Sequence, residues 1–180
     1  MPPIDEPPEP WRSFFAEVDS QLTETVHLHC CGGFVMTQLY AVARTTSDVD
    51  FLGVVPNVRS YLTKIGGKGS ALHQKHKVYL DAVTAATPPE NYEERLAPMF
   101  SGAWPRLGLF ALEAHDLALS KLERNNERDR DDVQQLARAG HLKPNVPKER
   151  YYNELRPNLV ANEARHDLTL QLWLESYWPV

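Results

Sequence analysis

Two carboxylates separated by a single residue, Asp48 and Asp50, stand at the start of the β-prone run DVDFLGVV. Side chains alternate between the two faces of a strand, so both carboxylates project from the same side, roughly 7 Å apart. At an effective dielectric constant of about 20 they repel each other by about 2 kcal/mol, which a folded chain tolerates best when a cation lies between them. Oxygen ligands of this kind suit Mg²⁺, which binds through one or two carboxylates and substrate phosphates. The alternative is a turn or cap at Ser47-Asp48, with Asp50 as a solvated edge residue.

The residues before this pair form a second chemical feature. A short apolar, β-prone run precedes Gly32 and Gly33, and a helix-like segment over residues 34–43 follows them. Glycines let the backbone turn sharply and approach a ligand, and the free N–H groups at a helix start can receive a phosphate. Arg44 and three hydroxyls, the last of them Ser47, then lead into the aspartates. This strand-helix-strand unit predicts a phosphate site beside a metal site.

Gly32-Gly33, followed by the run RTTSDVD from Arg44 to Asp50, resembles the signature of the polymerase-β-like nucleotidyltransferase superfamily. The nearer resemblance is to its minimal bacterial branch, which includes nucleotidyltransferase toxins of abortive-infection and type IV toxin-antitoxin systems. The resemblance implies that the glycine pair holds a nucleoside triphosphate and that the aspartates bind Mg²⁺ or Mn²⁺. Phe34 follows the glycines here, so the serine hydroxyl that many members carry is missing.

The resemblance also implies a third carboxylate on a strand beside the first two, where it can take a proton from the attacking group. The run VYLDAVTA, residues 78–85, is the third clear strand signal, and Asp81 is its only acid. Asp81 is therefore the candidate for a metal ligand or a base. The alternative is that Asp81 faces solvent.

A charged stretch, EAHDLALSKLERNNERDRDDVQQLARAG, predicts two helices joined near Asn125-Asn126, with Gly140 ending the second. By composition alone it is a solvated, salt-bridged helix pair. Minimal nucleotidyltransferase toxins have a lysine in a Leu-x-x-x-Lys helix followed by an Arg-Asp-x-x-Asp helix start. By that resemblance Lys121 reaches the nucleotide phosphates, and Asp129 orients Lys121 or Arg44, with Asp132 as a second possibility.

Two weaker patterns carry alternatives. The loop GGKGS, residues 66–70, could close Lys68 over a triphosphate, but it lacks the spacing of a phosphate-binding P-loop and could be a simple connector. His27, His29 and Cys31 recur at strand spacing and could form a metal site, although they lack the usual zinc spacings.

Composition bounds the class of protein. The chain has 180 residues, 42% of them hydrophobic, and a net charge of −5, which argues against binding nucleic acid through a bulk positive field. No apolar run reaches membrane-spanning length, and the N-terminus lacks a signal-peptide pattern, so we expect a cytoplasmic protein without membrane contact. The adjacent cysteines, Cys30 and Cys31, do not suggest a disulfide.

The remaining patterns complete a predicted α/β (α+β) fold, with a small mixed β-sheet flanked by helices. Residues 1–10 contain five prolines and are expected to be disordered, while residues 11–180 form one nucleotidyltransferase-like domain, with a core at 26–140 and a helical tail at 141–180. A helix is expected from Trp11 to Leu22, an edge strand at 107–112 and a C-terminal helix at 161–178. Leu168, Leu172 and Trp173 would be available for packing on that last helix.

The predicted function is metal-dependent transfer of a nucleoside monophosphate from a triphosphate to a hydroxyl of RNA, such as tRNA, or of protein. The resemblance adds the hypothesis of a toxin with a cognate antitoxin protein as its partner. One alternative is a catalytically silent member of the fold that acts as a binding or regulatory module. Another is a metal-dependent hydrolase, which would usually have more His and Asp ligands clustered with the aspartates.

Overall fold

The computed structural model describes residues 6–178, in which there are eight α-helices and five strands. The helices are α1 (Trp11–Ser20), α2 (Gly32–Gln38), α3 (Arg59–Gly66), α4 (Ala71–His76), α5 (Ala114–Leu119), α6 (Glu127–Arg138), α7 (Asn145–Arg150) and α8 (Glu163–Tyr177). The strands are β1 (Val26–Cys31), β2 (Asp48–Val55), β3 (Tyr79–Ala82), β4 (Ala97–Met99) and β5 (Leu107–Ala111). Short 3-10 turns cover Tyr92–Arg95 and Arg156–Asn158, and a π-helical turn covers Tyr151–Leu155.

The chain forms two compact units. The first runs up to Thr84 and resumes at Leu96–Ala111, and the second comprises Ala85–Arg95 and the chain from Leu112 onward. Of the predicted disordered segment 1–10, residues 1–5 lie outside the described residues, and Pro7 is buried. That residues 11–180 form a single domain stays a prediction.

The first unit contains one five-stranded mixed sheet in the order β3-β2-β1-β5-β4. Strands β1 and β2 pair antiparallel, as do β4 and β5, while β2 pairs with β3 and β1 with β5 in parallel. The small mixed sheet of the predicted α+β fold is confirmed. The predicted edge position of β5 is wrong, because β4 covers its outer side; β4 contains Pro98, a residue type that edge strands accept.

The two faces of the sheet differ in chemistry because side chains alternate along each strand. Val49 of β2 lies opposite Leu80 of β3 in the parallel register, and both are buried. A Cβ on Gly66 would meet the side chains of Leu80 and Phe14, so this face packs against α3 and α1. The other face carries the acidic residues.

Helix α1 supplies the aromatic part of this core. Its predicted apolar stripe is confirmed, since every member is buried: Trp11, Phe14, Phe15 and Val18 in the helix and Leu22 just after its end at Ser20. The ring centroids of Phe15 lie 5.4 Å from Phe14, 5.7 Å from Phe34 and 5.1 Å from Trp104. Such pairs add about 0.5–1.5 kcal/mol each beyond area burial.

The second unit is helical and is held by partly buried ion pairs around the buried Asp116. Arg95 binds the fully buried Asp116 through two nitrogens, at 2.8 and 3.1 Å, and also binds Glu154 at 2.7 Å. Arg150 reaches both Asp116, at 2.9 Å, and Glu113, at 2.5 Å. Burial raises the pKa of Glu113, but its bonds to His115 and Arg150 outweigh burial and lower the pKa to about 2. The segment Ala85–Arg95 is therefore tied to α5 and to the π-helical turn by charge-assisted hydrogen bonds.

Several predicted element boundaries change. The helix predicted at 34–43 begins at Gly32 and ends at Gln38, the strand predicted at 78–85 is limited to Tyr79–Ala82, and the C-terminal helix begins at Glu163. On α8, Trp173 is buried, but Leu168 and Leu172 are half exposed instead of packed. Within residues 6–178, no helix combines the length and apolar character needed to cross a membrane.

Asp19 provides a test of how α1 is joined to the sheet. It is buried, and its Oδ1 accepts hydrogen bonds from the backbone N–H groups of Arg106 and Leu107, at 2.7 and 2.8 Å. We expect Asp19→Ala to lower the free energy of unfolding by about 2–4 kcal/mol, because both donors lose their acceptor. Asp19→Asn keeps an acceptor oxygen and should lose much less. Urea unfolding measures both, and equal stabilities of the two variants would contradict this account.

Candidate functional site

Three carboxylates converge on the acidic face of the sheet. Each of Asp48, Asp50 and Asp81 offers one carboxylate oxygen such that these atoms all lie within 4.8 Å of one another. The parallel register explains this, because Asp50 lies opposite Asp81, and Asp48 precedes Asp50 by one full strand repeat. Asp48 and Asp50 are half-buried and Asp81 is exposed, so the cluster opens to solvent.

Tyr79 belongs to the same face, and sequence analysis missed it. It lies opposite Asp48 in the register and precedes Asp81 by two residues, a spacing that could have placed it beside the aspartates. Burial raises the pKa of its phenol, and the negative charges of the three aspartates raise it further. A phenol with an ordinary pKa is already protonated at neutral pH, and burial and the aspartates favour the protonated form further.

Gly32 lies directly against the carboxylate cluster. Cys31 pairs with Asp50 across β1 and β2, and the chain turns at Gly32 with a φ of +66°. A Cβ built on Gly32 would lie 1.9 Å from Oδ2 of Asp50. Only glycine meets both demands, a left-handed backbone and a bare Cα beside the carboxylate.

The polar turn before β2 approaches the second glycine. A Cβ on Gly33 would lie 3.0 Å from both the Arg44 guanidinium and the Thr46 hydroxyl. The same hydroxyl donates a hydrogen bond to Oδ1 of Asp48 at 2.7 Å. Ser47, the predicted nucleotide-binding hydroxyl, is exposed, and its carbonyl accepts from the Tyr79 N–H at 3.0 Å. Of the hydroxyls in this turn, Thr46 is thus the one that is hydrogen-bonded to Asp48.

Lys68 reaches the acidic face from a neighbouring loop. Gly67 forms a parallel bridge with Leu80, and the exposed Lys68 that follows places its ammonium 5.7 Å from the ring centroid of Tyr79. The loop is anchored by His73, whose Nδ1 accepts from the Gly69 N–H at 2.9 Å and whose ring lies 4.9 Å from the Tyr79 ring. His73 therefore joins this loop to the Tyr79 side of the acidic face.

Lys121 and Asp129 lie in the second unit. Lys121 is buried and donates to Asp132 at 2.9 Å, while its distance to Asp129 is 3.7 Å. Asp129 is already engaged, since it forms a capping box with Asn126 and accepts two hydrogen bonds from Arg124. Asp132, the second possibility, is therefore the carboxylate that accepts a hydrogen bond from the Lys121 ammonium, and the predicted role of Asp129 stays a prediction.

The histidine and cysteine pattern on β1 forms no comparable cluster. Among residues 6–178, the aspartates are the group of His, Cys, Asp and Glu side chains whose ligand atoms converge for a metal. Cys30 and Cys31 are buried and form no disulfide, as expected for cysteines that act as small apolar residues. Burial raises the pKa of Cys30 to about 12, so this thiol is not a nucleophile at neutral pH.

The contact between Gly32 and Asp50 can be tested by stability alone. Gly32→Ala should destabilise the protein more than Gly140→Ala, whose φ is +77° but whose Cβ would have no neighbour within 4 Å. Both variants carry a backbone strain of about 1–2 kcal/mol, and only the first also displaces the carboxylate. Adding Asp50→Ala to Gly32→Ala should recover the difference, as a double-mutant cycle followed by urea unfolding measures. Equal losses in the two glycine variants would contradict this contact.

Comparison with known proteins assigns a family. No curated protein and no solved structure gave a significant match. A family model described as nucleotidyltransferase of unknown function, DUF6036, matches residues 14–177, which include both glycines and all three aspartates. Because the match extends over nearly the whole chain, the protein belongs to this family of nucleotidyltransferases.

Proposed function

We propose that the protein is a metal-dependent nucleotidyltransferase that moves a nucleoside monophosphate from a triphosphate to an acceptor hydroxyl and releases pyrophosphate. The observation that carries the proposal is the convergence of Asp48, Asp50 and Asp81 within 4.8 Å on an open face of the sheet. The family description supports nucleotidyl transfer as the class of reaction.

The donor set fits a hard divalent cation. Three carboxylates supply oxygen ligands only, and Mg²⁺ or Mn²⁺ is the type of ion that such ligands select. Asp48, Asp50 and Asp81 would hold the metal, with Thr46 orienting the Asp48 carboxylate through its 2.7 Å hydrogen bond. When bound, the metal supplies positive charge that stabilises the phosphates during transfer.

Cations of the chain would balance the remaining phosphate charge. Arg44 lies beside the bare backbone of Gly33, and Lys68 lies over Tyr79 on the aspartate face. A guanidinium and an ammonium can each bind phosphate oxygens of the triphosphate. The proposed roles of Lys121 on the phosphates and of Asp129 beside it rest on the sequence motif.

The transfer step requires one proton acceptor. The oxygen of the acceptor hydroxyl forms a bond to the α-phosphorus, and the bond from that phosphorus to the pyrophosphate oxygen breaks. Asp81 is the most exposed of the three aspartates, and we assign it to take the proton that the hydroxyl loses. The Tyr79 phenol is protonated at neutral pH and can donate a hydrogen bond on the same face.

The acceptor and the biological role come from the motif resemblance. We propose a hydroxyl of RNA, such as tRNA, or of a protein side chain as the acceptor. The same resemblance to minimal nucleotidyltransferase toxins supports a growth-inhibiting role that a cognate antitoxin protein restrains.

Thermal unfolding tests the site without knowledge of the acceptor. Mg²⁺ together with one of the four nucleoside triphosphates should raise the melting temperature of the wild type but not that of Asp48→Asn/Asp50→Asn. A ligand that binds only the folded state adds about 2.7 kcal/mol at a hundred times its Kd. In EDTA the double variant should be at least as stable as the wild type, because a repulsion between carboxylates is removed.

The matched control is Glu127→Gln/Asp131→Asn, which removes two exposed carboxylates from α6 and should keep the ligand-dependent shift. If no triphosphate at millimolar concentration raised the melting temperature of the wild type, the transferase proposal would be contradicted. The silent binding module would then be the better account of the fold.

Lys68 offers a sharper test of nucleotide binding. Lys68→Met should weaken binding of a non-hydrolysable triphosphate by about tenfold, because one cation on the phosphates is lost. Lys64→Met removes an exposed lysine from the preceding helix α3 and should leave the affinity unchanged. Isothermal titration calorimetry in Mg²⁺ compares the two variants. If the Lys68→Met and Lys64→Met variants bound the triphosphate with equal affinity, Lys68 would have no role in nucleotide binding.

A further inference from the structure

Helix α8 carries apolar side chains on opposite sides. Leu170 and Trp173 are buried in the second unit, and the Trp173 indole N–H donates to Oδ1 of Asn125 at 3.1 Å. Leu168 and Leu172, on the other side, are 54% and 50% exposed. A helix at the surface of a unit normally presents a polar outer face, so this second apolar side indicates an interaction surface.

The exposed side of α8 has the spacing of a helix-pairing seam. Arg165, Leu168, Leu172 and Glu175 follow one another at intervals of three, four and three residues, the a and d spacing of a heptad repeat. At about 100° per residue they fall within an arc of about 80°. All four are exposed.

The order of these residues is self-complementary in one orientation. When two copies of α8 cross antiparallel about the position of residue 170, Leu168 of each copy lies opposite Leu172 of the other. The same alignment brings Arg165 of each copy opposite Glu175 of the other. A two-fold interface requires this reciprocity, in which residue i meets residue j and j meets i. Parallel pairing would instead bring each charge against its like.

We propose that the protein forms a two-fold dimer through antiparallel pairing of α8 with α8 of a second copy. Two leucine layers would form the centre of the contact, and two Arg165–Glu175 ion pairs would close its ends and set the orientation. This inference goes beyond the proposed function and does not depend on the nucleotide chemistry.

The surroundings of α8 extend the contact area. A groove of about 600 Å³ runs beside Leu168 and is bordered by Tyr152 and Lys148. Tyr152 is 47% exposed, so its ring adds apolar surface to the same groove as Leu168. One pair of helices and the neighbouring groove would bury an area at the low end of the range for specific protein interfaces. The dimer should therefore dissociate on dilution.

Sedimentation equilibrium of the full chain over a wide micromolar range tests the proposal. The wild type should approach twice its monomer mass of 20.5 kDa at high concentration. Leu168→Gln/Leu172→Gln should stay monomeric throughout, because the apolar layers are lost. Both leucines are already half exposed, so the substitutions leave the buried core of the unit unchanged.

Charge reversal tests the partner and the orientation together. Arg165→Glu or Glu175→Arg alone should weaken dimerisation by about tenfold or more, and the double variant should restore the wild-type Kd. Residue 165 lies in the first turn of α8 and residue 175 in the last, where each new charge favours the helix dipole. Loss of the dimer in a single variant could not then be attributed to unfolding of the helix.

The matched control is Arg128→Glu, the same reversal at an exposed arginine in the first turn of α6, which should leave the Kd unchanged. A wild type that is monomeric at every concentration would overturn the proposal. So would a dimer that survives the double glutamine substitution, or single reversals that the double variant does not rescue.

Discussion

Mutual repulsion among three carboxylates on one sheet face is the constraint that shapes the first unit. The parallel register of β2 and β3 places Asp50 opposite Asp81 and leaves Asp48 beside them, so the fold holds like charges within 4.8 Å. Such an arrangement is unfavourable unless donors and cations surround it. Around the carboxylates, the Thr46 hydroxyl donates to Asp48, and Lys68 brings a positive charge to the same face over the Tyr79 ring.

The opposite face of the same strands explains why this unfavourable face persists. Val49 and Leu80 alternate with the aspartates and are buried against helices whose aromatic side chains fill the core. Because the side-chain period of a strand is two, burying Val49 and Leu80 necessarily presents the acidic residues on the other side. A slip of one residue in register would bury the carboxylates, which is far more costly than their repulsion at the surface. Core packing thus holds the site in place.

The second unit uses charge differently, since several of its carboxylates are paired in the interior. Asp116 is satisfied by two arginines, and Lys121 is buried against Asp132 with Asp129 close by. Removing one member of such a buried pair leaves an uncompensated charge, so these residues specify the local fold whatever other role they have. The exposed side of α8 contrasts with this interior, because its two leucines are half exposed on a helix whose other side is packed.

Three features could be predicted from the sequence alone: the strand-glycine-helix-strand order, the shared face of Asp48 and Asp50, and the aromatic stripe of α1. They depend on the periodicity of neighbouring residues or on the conformational freedom of glycine, and both can be recognised without the fold. Asp81 could be named because the family resemblance implies a third carboxylate and Asp81 is the only acid of its predicted strand. Its distance from the other carboxylates depended on which strands pair and in which register. The interior position of β5 and the proximity of Tyr79 to the aspartates arise from contacts between distant segments. The Thr46–Asp48 bond and the preference of Lys121 for Asp132 join residues closer in sequence, and they depend on how the turn and the two helices fold. Their energies depend on burial and on competing partners, and these exist only once the chain has folded.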